Sequence, residues 1–223
     1  MNGDWLTTAR QSLPRLWDLR RRLEPTERLP DIRAITPEFL AARGLRGVIW
    51  DVDGTLMEYH AKDISLDFRQ QVRSLFAHPE ISHAILSNCG DERFLALGEI
   101  FPEIPVVRSY ALGEKRIDRV FRDGKDSFAP EELASLYAKG ARQVRKPDGD
   151  LIRLAIEEMG LDNPEEVVMV GDQYLTDIAS ANLAGARSIK VPAWGRESFP
   201  LPVRLSQDFE ACLFRFRPRP RVN

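Results

Sequence analysis

The feature that most constrains this chain is a series of short, uninterrupted apolar runs separated by segments of helical periodicity. Gly47-Val48-Ile49-Trp50 reads as a strand buried on both faces. Ala84-Ile85-Leu86, Pro105-Val106-Val107, Val167-Val168-Met169-Val170 and Ser188-Ile189-Lys190-Val191 read the same way. Between them the spacing predicts helices around Phe68 to Phe76, Glu92 to Ile100, Leu151 to Met159 and Asp177 to Leu183. Thr36-Pro37-Glu38 opens another helix, with a Thr cap and Pro in the first turn, and Gly44 closes it. This alternation implies an α/β fold, a doubly wound parallel sheet with helices on both faces. Ligands of such sheets bind beyond the carboxyl ends of the strands. Asp51, Ser87 and Asp172 each stand at such an end.

The 223 residues suffice for one such domain with an insertion or an appended arm. A net charge of −2 sets up no global field toward nucleic acid or membrane. Cys89 and Cys212, the two cysteines, cannot form a disulfide framework, so a reducing, cytoplasmic compartment is expected. No stretch approaches the roughly 20 apolar residues of a membrane span, and Met1 to Leu13 lacks the apolar core of a secretory signal.

Four motifs carry candidate chemistry. Asp51-Val52-Asp53-Gly54-Thr55-Leu56 follows the first strand. Of its two carboxylates one can attack phosphorus and the other can shuttle protons, while Gly54 permits a tight turn and Thr55 can hold it. Ser87-Asn88, after the second strand, offers a hydroxyl and amides to a phosphoryl oxygen. Lys146, in Arg145-Lys146-Pro147, can neutralise phosphate and nucleophile. Asp172, in Gly171-Asp172-Gln173-Tyr174-Leu175-Thr176-Asp177, can bind Mg²⁺ together with Asp51, while Asp177 can hold a metal-bound water or cap the helix that follows. Each motif alone has a plainer explanation: an acidic surface turn, a polar turn, a solvated lysine, a helix cap. Four in this order, each at a strand or helix terminus, do not share one.

In that order the motifs resemble the haloacid dehalogenase (HAD) superfamily, from about Leu45 to about Val191. The resemblance implies a Mg²⁺-dependent phosphatase in which Asp51 forms an aspartyl-phosphate. Asp53 would protonate the leaving alcohol, activate the hydrolytic water, and ligate Mg²⁺ through its carbonyl. Thr55, Ser87, Asn88 and Lys146 would hold the phosphoryl group. Asp172 would complete the metal site, with Asp177 in support. Dehalogenases of the family lack the second acid, so Asp53 disfavours that chemistry.

The approach to the first motif, Leu29-Pro30-Asp31 through Ile35 to Gly44, is similar to the YqeG-type branch, which includes phosphatidylglycerophosphate phosphatases. That branch makes phosphatidylglycerophosphate the first substrate expectation, with soluble metabolites or nucleotides as the alternative. A non-catalytic phosphate-binding or nucleic-acid-binding module is the reading from another class. Between Asn88 and Lys146 the chain is longer than a helix, a strand and a linker require, by roughly 25 residues. The surplus, 109–139, is read as a small lid-like insertion in a phosphatase domain of residues 31–205, with a surface helix and hairpin of no catalytic role as the equal alternative. Residues 1–30 form a basic amphipathic arm with Trp5, Trp17 and Arg20-Arg21-Arg22, and 206–223 form a basic tail. Both suit a peripheral contact with an anionic membrane. No obligate nucleic acid is expected, and the oligomeric state stays open.

Overall fold

The computed structural model describes residues 23–215. Trp5, Trp17 and the arginine run of the expected arm, and the expected tail beyond Arg215, lie outside them.

Strand β1 (Glu27–Arg28) is followed by helix α1 (Pro37–Ala41), β2 (Gly47–Trp50), α2 (Arg69–Phe76), β3 (Ser82–Ile85) and α3 (Asp91–Ile100). Strands β4 (Val106–Leu112), β5 (Lys115–Arg122) and β6 (Lys125–Asp126) come next, then α4 (Pro130–Ala138) and β7 (Arg142–Val144). The chain continues through α5 (Gly149–Glu158), β8 (Val167–Gly171), α6 (Ala179–Ala184), β9 (Arg187–Lys190) and α7 (Leu201–Arg215). The strands form one sheet in the order β1-β9-β8-β2-β3-β4-β5-β6, with β7 also paired to β4. β1, β9, β8, β2, β3 and β4 run parallel, as the alternation implied.

All four residues of β2 are buried. Val48 and Trp50 pack into one core with Leu40, Val72, Leu75, Phe94 and Leu97 from α1, α2 and α3. Ile49 points to the other core, with Ile152, Ala155 and Ile156 of α5 and Ala181 of α6. A strand covered on both faces leaves no position for a polar side chain, and so reads as a continuous apolar run. The one polar group of Trp50 is satisfied inside: its Nε1 donates to His83 Nδ1 at 3.2 Å. The proton of His83 is then on Nε2, 3.0 Å from the Leu75 carbonyl. Burial pushes the His83 imidazole down to about 4.

The helix starts follow their capping chemistry. Thr36 accepts from Phe39 N with Pro37 in the first turn, and Asp148 accepts from the amides of Asp150 and Leu151.

Three expectations are corrected by the structure. The first part of residues 109–139 is built into the sheet, with β5 paired antiparallel to β4 along its whole length and β6 continuing the edge, and α4 follows it. The hairpin carries buried Arg108 and Arg119, which Asp91 and Asp126 neutralise. The domain does not begin at 31, because Glu27 and Arg28 pair with Ile189 and Lys190. Nor does it end at 205, because α7 runs without interruption to Arg215.

The pairing of β7 positions the site. β7 lies beside β4 at Ser109 to Ala111, where β3 has already ended. It therefore delivers Arg145 and Lys146 across the carboxyl end of β3.

Candidate active site

Asp51 follows β2 directly, and its amide donates to Val170 O at 2.9 Å. Asp172 follows β8, the neighbour of β2. The two carboxylates therefore emerge side by side. Asp177 joins them from a single π-helical turn, Tyr174–Ile178, where the sequence predicted the start of an ordinary helix. Oxygens of Asp51, Asp172 and Asp177 all lie within 4.8 Å of one another, and all three residues are buried.

Lys146 bonds directly to this cluster, while Lys190 acts on Asp172 and Asp177 from further away. Lys146 Nζ is 2.6 Å from Asp51 Oδ1 and 2.7 Å from Asp177 Oδ1, and donates to Leu86 O at 2.8 Å. All three ammonium hydrogens are engaged, which fixes the charge in place. Lys146 is held protonated: burial works against its charge, but the neighbouring Asp177 and Asp51 outweigh it. The carboxylates stay short of countercharge. Burial pushes Asp51 up to about 7 even beside Lys146, and raises Asp172 well above the usual carboxylate range, with Asp51 and Asp177 adding to it. Three buried acids with one ammonium bonded among them favour a further cation.

A divalent cation fits this arrangement on a second observation. Asp172 Oδ1 is buried and has no hydrogen-bond partner among the described residues, while its Oδ2 accepts from Gln207 Nε2 at 2.9 Å. An unsatisfied buried carboxylate oxygen beside two further acids is the all-oxygen donor set that Mg²⁺ takes.

Two glycines permit the crowding. At Gly54, φ is +89°, and an added Cβ would stand 2.7 Å from Phe199 Cζ and 3.2 Å from Asp172 Oδ2. A Cβ on Gly171 would lie 2.3 Å from Asp177 Cγ, so only glycine lets that carboxylate approach the strand end.

The other expected residues take distinct places. Asp53 Oδ1 accepts from His60 N and Arg93 Nη2, both at 3.0 Å. The turn at 52–57 is closed by backbone bonds, Gly54 N to Met57 O among them, and not by the Thr55 hydroxyl. That hydroxyl is buried without a hydrogen bond among the described residues and remains able to donate to an oxyanion. Ser87 is half-buried just beyond the end of β3. Asn88 Oδ1 accepts from Lys146 N at 2.8 Å and its Nδ2 donates to Lys146 O at 3.0 Å. Its side chain thus clamps the lysine backbone. Asp177 Oδ2 accepts from Gln173 N at 3.0 Å, at the start of the π-helical turn, while Oδ1 holds Lys146.

The sequence did not disclose Arg93, Gln207 or Glu210. Glu210 is buried on α7, accepts from Tyr174 N at 2.7 Å, and is pushed up to about 7 by burial.

The doubly wound sheet and this lysine-bridged acidic cluster define a hydrolytic α/β enzyme of the phosphatase class. Comparison with known proteins agrees. Residues 143–193 match the HAD-hydrolase-like family. The Bacillus subtilis (strain 168) protein named probable phosphatase YqeG is 27% identical over 173 residues, covering 78% of this chain and 79% of its own. Phosphatidylglycerophosphate phosphatase 1, chloroplastic, from Chlamydomonas reinhardtii is 30% identical over 182 residues, covering 81% of this chain. The match spans 57% of that longer protein. An uncharacterized protein from Listeria monocytogenes serotype 4b superposes with a TM-score of 0.40 at 19% identity, over 72% of this chain and 97% of its own. Residues 143–193 are thus similar to the HAD-like hydrolases, and most of the chain is similar to a YqeG-type phosphatase and to a phosphatidylglycerophosphate phosphatase.

Proposed function

We propose that this protein is a Mg²⁺-dependent phosphomonoester hydrolase that works through an aspartyl-phosphate on Asp51. The observation that carries the proposal is the position of Lys146, 2.6 Å from Asp51 and 2.7 Å from Asp177, beside an Asp172 oxygen that lacks a partner.

In this reading an Asp51 oxygen attacks phosphorus and the bond from phosphorus to the ester oxygen breaks. Asp53 gives its proton to the departing alkoxide. Water then attacks the phosphorus of the acyl phosphate, Asp53 takes a proton from it, and the bond to Asp51 breaks to release inorganic phosphate. Lys146 neutralises the phosphoryl oxygens, and the Thr55 and Ser87 hydroxyls donate to them. Asp51, Asp172 and the Asp53 carbonyl would hold Mg²⁺, with Asp177 behind them; the ion, when bound, adds positive charge where the transferring group is most negative.

Phosphatidylglycerophosphate is the proposed substrate, supported by the named activity of the Chlamydomonas relative. The test is phosphate release with Mg²⁺ from phosphatidylglycerophosphate in mixed micelles, beside sugar phosphates and nucleotides, with Asp51→Asn as the blank. Preference for the lipid is expected. Preference for a soluble ester would keep the mechanism and discard the substrate, and turnover by Asp51→Asn would discard the mechanism.

A further inference from the structure

Helix α7 has two opposed faces. The inner face reaches the site: Gln207 donates to Asp172, Glu210 accepts from Tyr174 N, and Phe214 stacks on the Tyr174 ring at 4.0 Å between centroids. The outer face carries Leu201, Leu205 and Phe209, exposed by 69%, 66% and 54%. Four-residue spacing places them in one row along the helix. Single exposed apolar residues are ordinary, but an unbroken row on one helix marks a contact surface.

We infer that this outer face of α7 docks the enzyme on an anionic lipid bilayer. Charge argues for that occupant. The exposed acid Asp208 is neutralised by Arg196, and Glu210 is buried on the opposite face. Past the row the sequence supplies Arg215, Arg217, Arg219 and Arg221, with Phe216 and no acid. Leucine and phenylalanine backed by arginine is the composition of a helix lying in a lipid interface, attracted by anionic headgroups and held by shallow apolar insertion. Three side chains also fall well short of the roughly 800 Å² per partner that a stable protein interface buries, whereas insertion into lipid needs no matching partner surface. The inference goes beyond the phosphatase reading and does not depend on it, although it would bring Asp172, on the far side of the same helix, close to lipid headgroups.

The experiment is flotation of the full chain with phosphatidylcholine vesicles, with and without phosphatidylglycerol, for the wild type and Leu205→Gln/Phe209→Gln. Both positions are more than half exposed, so the variant should fold and release phosphate from p-nitrophenyl phosphate as the wild type does. The wild type is expected to float with the anionic vesicles and to lose that affinity in high salt. The variant should bind at least about tenfold more weakly. Equal flotation of the two proteins, no flotation of either, or a wild-type dimer that the variant abolishes would each overturn the docking surface. Phosphatidylglycerophosphate hydrolysis in detergent micelles separates the two proposals. Hydrolysis without flotation discards the docking surface alone. Flotation lost in the variant, without hydrolysis, upholds it and discards the substrate.

Discussion

Arg93 donates from Nη2 to Oδ1 of Asp53 at 3.0 Å while its Nη1 holds the Ala61 carbonyl at 2.7 Å. The guanidinium ties the candidate proton-transfer group to the loop that follows it. Asp53→Asn should lower kcat roughly 10²–10⁴-fold by removing the proton carrier. Arg93→Gln leaves the carboxylate held by the His60 amide without the guanidinium, so roughly a tenfold loss is expected. Steady-state kinetics of both variants check the order. An Arg93→Gln enzyme with wild-type kcat would deny Arg93 any part in placing Asp53.

The acidic cluster should trade stability for function. Without metal, Asp172 is buried with one oxygen unpaired beside Asp51 and Asp177. Asp172→Asn removes a charge from that site and should stabilise the metal-free protein by about 1–2 kcal/mol while phosphate release collapses. Saturating Mg²⁺ should stabilise the wild type by about 2.7 kcal/mol at a hundred times its Kd, and the variant far less. Urea denaturation with and without Mg²⁺ tests this. Equal Mg²⁺ stabilisation of both proteins would remove Asp172 from the metal site.

Gln207 is the only α7 side chain among the described hydrogen bonds that reaches Asp172, at 2.9 Å. Partners that orient a metal-binding carboxylate commonly govern affinity by 10–100-fold. Gln207→Ala should raise the Mg²⁺ concentration for half-maximal activity by roughly that factor, with little change in kcat at saturation. An unchanged Mg²⁺ titration would leave Gln207 as a packing residue only.

His83 gives a pH signature remote from the site. Its folded value of about 4 lies below the ordinary 6.5, because burial disfavours the cation. The unfolded chain therefore binds the extra proton first. The stability that neutral His83 provides is complete above about 6.5 and is lost as pH falls toward 4, to an extent of about 3 kcal/mol. Asp51 tilts metal-free protein the other way, because its raised value favours the folded state at low pH. The comparison with His83→Gln isolates the histidine: denaturation midpoints of the wild type should fall more steeply between pH 7 and pH 4.5. Parallel slopes would refute the burial effect.

The parallel core was legible because its strands, buried on both faces, admit little but apolar residues, and two of the site acids follow one directly. Asp51 and Asp172 could be placed that way. The pairing of β5 with β4 was not legible, because these strands carry Arg108, Arg116, Arg119 and Arg122, which break the apolar run and are neutralised partly from distant residues. One local signal stood in the next turn: Asp123-Gly124, with φ of +52° and +70°, joins β5 to β6 tightly. The contribution of α7 was hidden for another reason. Gln207 and Glu210 are ordinary helix residues, and nothing local marks them as reaching a strand end. That the Asn88 side chain clamps Lys146 was equally hidden; only the pairing of β7 shows that Lys146 comes to lie beside it.

Leu23 and Phe214, near the two ends of the described chain, pack around Leu175 and Ala179. This contact closes a loop that contains nearly everything between, and closures of such length are costly in chain entropy and late in folding. The segment from Asp172 to Asp177 would thus be fastened last. A nascent chain would carry an assembled sheet but an unfinished active site until α7 had emerged. Pulse-labelled hydrogen exchange should find the Tyr174 amide, held by Glu210, protected only after the amides of β2 and β8.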